Sequence, residues 1–138
     1  MPKVLGIDYG EKRIGLAISD EDKKFSFIRP FLNRQPETEL LSKLKLLCQT
    51  ERVDKIILGL PLDQAGQIGA AAAIVKEFGD ILKKHLGVPL EYEDERFSTV
   101  MADEQYRQGG LSSKESRRNI DSRSAQLILQ TYLDKSHG

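Results

Sequence analysis

The chain has no tryptophan and a single cysteine, Cys48, among its 138 residues. One thiol cannot close an internal disulfide or build a cysteine-based metal centre. Histidine is almost as scarce, with only His85 and His137, and neither has the partners a nucleophilic triad requires. No apolar run is long enough to span a bilayer, and the opening MPKVLGIDYG lacks a signal peptide's order of regions. A cytoplasmic protein with no membrane partner is therefore expected. Charge of either sign is not in excess, since 21 Lys and Arg stand against 21 Asp and Glu. A polyanion would have to be held by a local patch, not by a uniformly basic surface. Internal repeats, low-complexity tracts and linker-like stretches are missing too, so residues 1–138 are expected to form one domain.

What is present is a change of hydrophobic period along the chain. KVLGIDY, residues 3–9, reads as a buried strand and GEKR as a turn. IGLAIS follows, with Ile14, Leu16 and Ile18 on one face and Gly15, Ala17 and Ser19 on the other. So short a connection makes the pair an antiparallel hairpin. FSFIRPFL continues the meander, and its Pro30 marks an edge or a bulge. Pro36 then suits the first turn of a helix and Glu37 and Glu39 its positive end. Leu40, Leu41, Leu44, Leu47 and Cys48 form the apolar stripe of that helix. KIILGLP is a second buried strand, and a helix is predicted from about Ala70 to Leu86 with Ile74, Val75, Phe78, Ile81 and Leu82 inward. PLEYEDE reads as a fifth strand, followed by helices over about 98–108 and from near Asp121 to Asp134. The last buries Ala125, Ile128, Leu129, Tyr132 and Leu133. A meander followed by crossovers gives an α/β class, one mixed sheet with helices on both faces.

Asp8 is the residue this pattern does not explain. A carboxylate in a core strand costs several kcal/mol unless it is paired, and the flanking Gly6 and Gly10 predict a close approach to the backbone. EYEDERFST packs Glu91, Glu93, Asp94 and Glu95 into five residues. Glu91 and Glu93 read as solvated. Asp94 and Glu95 lie at the strand's carboxyl end, where ligands of open α/β sheets gather, and Arg96 can neutralise one of them. Asp121, in NIDSRSAQLILQ, reads by itself as a helix N-cap. As a third carboxylate, however, it would complete an oxygen-ligand site for Mg²⁺ or Mn²⁺. Two such ions can orient a water and stabilise the leaving oxygen of a phosphodiester. RQGGLSSKESRRNIDSR adds Arg107, Lys114, Arg117, Arg118 and Arg123, read as a loop able to clamp phosphate beside that site. Lys12 and Arg13, in the hairpin turn, are candidates for the same task.

Four blocks, GIDYGEKRIGLAISD, IILGLPLDQAG, EDERFSTVMA and NIDSRSAQLILQTYL, resemble in order and spacing the YqgF/RuvX family, which is similar to Holliday-junction resolvases. The resemblance covers about Lys3 to Leu133. It implies an RNase H-like fold, a five-stranded sheet of order 3-2-1-4-5 with strand 2 antiparallel. It also implies acidic catalytic positions at Asp8, Glu95 and Asp121. Where the family's glycine loop commonly has asparagine, this chain has Asp63, a further substrate-contact position. The implied activity is a metal-dependent nuclease acting on structured RNA, the precursor of small-subunit ribosomal RNA, as a monomer or homodimer. Three alternatives stand beside it. Cleavage of branched DNA at four-way junctions requires two active sites and so a symmetric dimer. Nucleotide binding like that of the sugar kinases and actin-like ATPases requires two lobes, which 138 residues do not supply. A nucleic-acid or ribosome-assembly module without catalysis would leave the acidic positions unexplained.

Overall fold

The computed structural model describes residues 2–62, 69–94 and 113–137, with the side chains of 122–136 in the last of these stretches. Five strands, β1 (Lys3–Tyr9), β2 (Arg13–Ser19), β3 (Ser26–Asn33), β4 (Val53–Leu60) and β5 (Leu90–Asp94), form one sheet. Its order is β3-β2-β1-β4-β5. β2 is antiparallel to β1 and β3, while β4 is parallel to β1 and β5. The mixed sheet and the order 3-2-1-4-5 are those expected. β3 is an edge strand with a register shift opposite Ile14 and Leu16, so Pro30 marks both an edge and a bulge.

Strand alternation divides the core in two. One face of the sheet, with Leu5, Ile7, Ile14, Leu16, Ile56 and Leu58, packs against helices α1 (Glu37–Thr50) and α2 (Ala70–Leu86). The other face, with Val4, Ala17 and Ile57, is covered by α3 (Ser113–His137) through Ala125, Ile128, Leu129 and Leu133. The helical stripes match the sequence, except that Leu41, Leu47, Ile81 and Tyr132 are only partly buried and Ile74 is exposed. Ile74 is 53% exposed because Ala72 takes the inward position in the first turn of α2. Tyr132 is only partly buried, its hydroxyl accepting a bond from Lys55 at 3.0 Å. Pro36 sits at the N-cap of α1 with an extended backbone, one residue before the predicted first turn.

α3 starts at Ser113, eight residues before the predicted boundary, so the basic stretch from Lys114 to Arg123 is helical and not a loop. A polar stripe at four-residue spacing fixes this helix over the hairpin. Ser122 donates to the Arg29 carbonyl at 2.8 Å and accepts from the Leu16 amide at 3.4 Å. Gln126 donates to the Ser26 carbonyl, and Gln130 donates to Lys24 and accepts from the Ser26 amide. Such bonds satisfy polar groups along β2 and β3 that the helix would otherwise cut off from water.

Candidate functional site

Asp8 is the penultimate residue of β1, at the carboxyl end of the sheet's central strand. It is half-buried, not deep in the core, so its desolvation is only partial. Gly6, two residues earlier, lies against Ala125 and Leu129, and alternation therefore puts Asp8 on the α3 face. The flanking glycines have internal explanations. A Cβ on Gly6 would meet the Leu129 Cβ at 2.7 Å, and one on Gly10 would meet the Arg13 carbonyl oxygen at 2.5 Å. The close approach that they signalled is made by the protein's own helix and turn.

A row of positions crosses the sheet at the level of Asp8. Gly15 pairs with it on β2. On the other side, β1 and β4 stay in register up to Ile7 and Leu58, so Gly59 comes next beside Asp8, and Gly59 pairs with Glu93 on β5. Both neighbours of Asp8 thus lack a side chain, and Glu93 stands two strands, roughly 10 Å, away. Glu93 is the residue that sequence reasoning misjudged. It is 8% exposed, held by the ammonium of Lys135 on α3. A strand at a sheet edge reads as solvated, and nothing in PLEYEDE shows that a later helix crosses that edge. Asp94 is exposed on the opposite side of β5, the side on which the Tyr92 hydroxyl touches Gly79 of α2.

The remaining predicted residues divide as follows. Lys12 and Arg13 are exposed at the same end of the sheet as Asp8, and the Arg13 guanidinium lies 4.9 Å from the Phe31 ring centroid. Arg123 is partly exposed on α3 and donates to Gln126 in the next turn. Position 121 lies one helical turn before Ala125, whose carbonyl faces Gly6, just as Asp8 lies two residues beyond Gly6. The side chains of Lys114, Arg117, Arg118 and Asp121 lie outside the described residues, as do Asp63, Glu95 and Arg96 and the helix expected over 98–108. Among the described residues no group of three or more His, Cys, Asp and Glu side chains is placed to hold a metal, and no helix is long and apolar enough to cross a membrane.

Known proteins share this architecture. The family profile described as "RuvX: Holliday junction resolvase" matches residues 2–135. A protein of Maridesulfovibrio salexigens named "Putative pre-16S rRNA nuclease" is 35% identical over 134 residues, 97% of this chain and 99% of its own. One of the same name from Syntrophomonas wolfei is 39% identical over 132 residues, covering 96% and 94%. Among solved structures, Thermus thermophilus RuvC in complex with a Holliday junction substrate superposes with a TM-score of 0.64 at 15% identity, over 99% of this chain and 96% of that one. The fowlpox virus Holliday junction resolvase gives 0.53 at 11% identity, over 96% and 99%. At such low identities these two show the fold alone, the RNase H-like one. With the family profile spanning nearly every residue and full-length relatives above 30% identity, the chain belongs to the RuvX family.

Proposed function

We propose that this protein is a cytoplasmic, divalent-metal-dependent endonuclease that hydrolyses phosphodiester bonds of structured RNA, at the 5′ end of precursor 16S ribosomal RNA. The observation that carries this reading is the setting of Asp8. It is a half-buried carboxylate at the end of the central strand, with glycine at the adjoining position of both neighbouring strands. The names of the full-length relatives support RNA as the substrate class.

In this reading Asp8, Glu95 and Asp121 hold the ion. The backbone of α3 supports Asp121, because position 121 lies one helical turn before Ala125, whose carbonyl approaches Gly6, two residues from Asp8. Glu95 follows directly on β5. Asp94 is left out of the set, since it shares the Tyr92 side of the strand. A donor set of carboxylate oxygens fits Mg²⁺ or Mn²⁺. When bound, such an ion supplies Lewis-acid activation of a water and stabilisation of the leaving oxygen. The chain's own task is to bind and orient the strand. Lys12 and Arg13 hold phosphates at the hairpin turn, and Lys114, Arg117, Arg118 and Arg123 do so along the first half of α3. Arg96 and Asp63 complete the substrate contacts.

The family's description favours a second reading, resolution of four-way DNA junctions, which requires a dimer with two active sites. Side-by-side incubation with precursor 16S RNA and junction DNA, with Mg²⁺ and with EDTA, separates the two, and ultracentrifugation gives the oligomeric state. RNA cleavage that EDTA abolishes is expected. Intact RNA with junction cleavage by a dimer would overturn the first reading in favour of the second.

A further inference from the structure

The proposed reaction leaves unused a cavity of about 120 Å³ at the carboxyl end of β1, on the face away from Asp8. Its wall includes Tyr9, Arg34, Glu37, Ile74, Glu77 and Phe78. Tyr9 directly follows Asp8 in the strand, so the two side chains leave opposite faces of one sheet edge. The Tyr9 and Phe78 rings pack at 4.5 Å with a tilt of 53°. The Arg34 guanidinium lies 5.4 Å from the Tyr9 centroid. Its backbone amide is tied to the Lys12 carbonyl at 2.9 Å, which fixes where the side chain starts. Ile74, the exposed apolar residue that breaks the stripe of α2, adds an apolar wall. Glu37 and Glu77 are exposed at the cavity, and neither they nor Arg34 form an ion pair among the described residues.

We propose that this cavity receives a nucleobase bearing an exocyclic amino group, from the nucleotide next to the bond cleaved at Asp8. The inference rests on the nuclease reading. Two carboxylates repel a phosphate, which excludes the backbone as the occupant. They accept hydrogen bonds from an amino edge, as acidic side chains do from cytosine N4. Uracil presents a carbonyl at the same place and is rejected. Splayed bases of single-stranded RNA stack on aromatic rings and on guanidinium planes, and Arg34 over Tyr9 offers such a platform. A strand crossing the sheet edge with its phosphate at Asp8 brings an adjoining base to the Tyr9 side.

The test is fluorescence anisotropy with labelled twelve-residue oligo(C) and oligo(U) ribonucleotides in EDTA, where binding is read without turnover. Wild-type protein is expected to prefer oligo(C) by about tenfold, within the range that one good base contact supplies. The double variant Glu37→Gln/Glu77→Gln should lose that preference. Arg34→Ala should weaken oligo(C) binding by ~5-fold to ~140-fold, the range for a lost stacking partner. Melting temperatures show that each variant is folded. Equal affinity of the wild type for both oligonucleotides, or an unchanged preference in the double variant, overturns the base pocket and leaves the nuclease reading standing. Binding of neither oligonucleotide by the wild type overturns the base pocket alone, and EDTA-sensitive cleavage of precursor 16S RNA tests the nuclease reading separately.

Discussion

Replacing Gly6 by alanine tests how α3 is seated over the sheet. The added Cβ would lie 2.7 Å from the Leu129 Cβ and 3.1 Å from the Ala125 carbonyl oxygen. Carbon atoms in contact prefer about 3.5–4.0 Å, so the missing distance is close to 1 Å. Neither obstructing atom can swing away, because one is the first atom of a side chain and the other is backbone. The helix itself has to move. Overpacking of this kind costs about 1–3 kcal/mol, which for a chain of 138 residues corresponds to a fall in Tm of roughly 3–10 °C. In the proposed site α3 also supplies Asp121, and a 1 Å displacement of a catalytic group can lower a rate by about 100-fold. Calorimetry on Gly6→Ala should therefore show the drop in Tm, and RNA cleavage below the melting transition should fall further than the folded fraction explains. A variant as stable as wild type to within about 0.5 kcal/mol would refute the contact between β1 and α3 on which the seating argument depends.

Other predictions follow from single contacts. Ser122 is 1% exposed and serves both the Arg29 carbonyl and the Leu16 amide, so Ser122→Ala should cost about 1–3 kcal/mol in urea unfolding, and a loss under 0.3 would contradict the polar stripe. Burial pushes the Cys48 thiol up to about 11, so Ellman's reagent at pH 8 should label one thiol only after denaturation; rapid labelling of native protein would show that α1 is not seated as described. The Lys3 ammonium, 2.8 Å from Glu51, holds that carboxyl below its ordinary value, with Arg29 adding to the effect. A depressed native value means that the stabilisation is present above pH 4.5 and lost as pH falls through the native value. Lys3→Met should then narrow the difference in Tm between pH 7 and pH 3, by an amount worth up to about 1 kcal/mol; an unchanged difference would remove the pair from the pH dependence.

The strands, the antiparallel hairpin and the stripes of α1 and α2 are written in local periodicity and were legible, because each depends on residues within a few positions of one another. What was not legible depends on partners distant in sequence. Glu93 read as solvated, since its burial requires Lys135, 42 residues away. Gly6 and Gly10 correctly announced close approach, but not that Ala125, Leu129 and the Arg13 carbonyl do the approaching. The early start of α3 was hidden because Gly109, Gly110 and the serines read as loop and because Asp121 is a plausible cap, whereas the helix already runs from Ser113. For the site, the sequence singled out Asp8. The structure adds the empty-flanked row, Gly15, Asp8 and Gly59, which appears only when the register of three strands is known.

Asp8→Asn gives the most direct test of the central claim, that a carboxylate at this position governs metal-dependent cleavage. It replaces one carboxylate oxygen by an amide nitrogen at nearly constant shape, in a half-buried position. Cleavage of precursor 16S RNA by the variant in Mg²⁺, at temperatures below its own melting transition, should fall to the level of wild type in EDTA. Full activity from a folded Asp8→Asn preparation free of contaminating nuclease would contradict it.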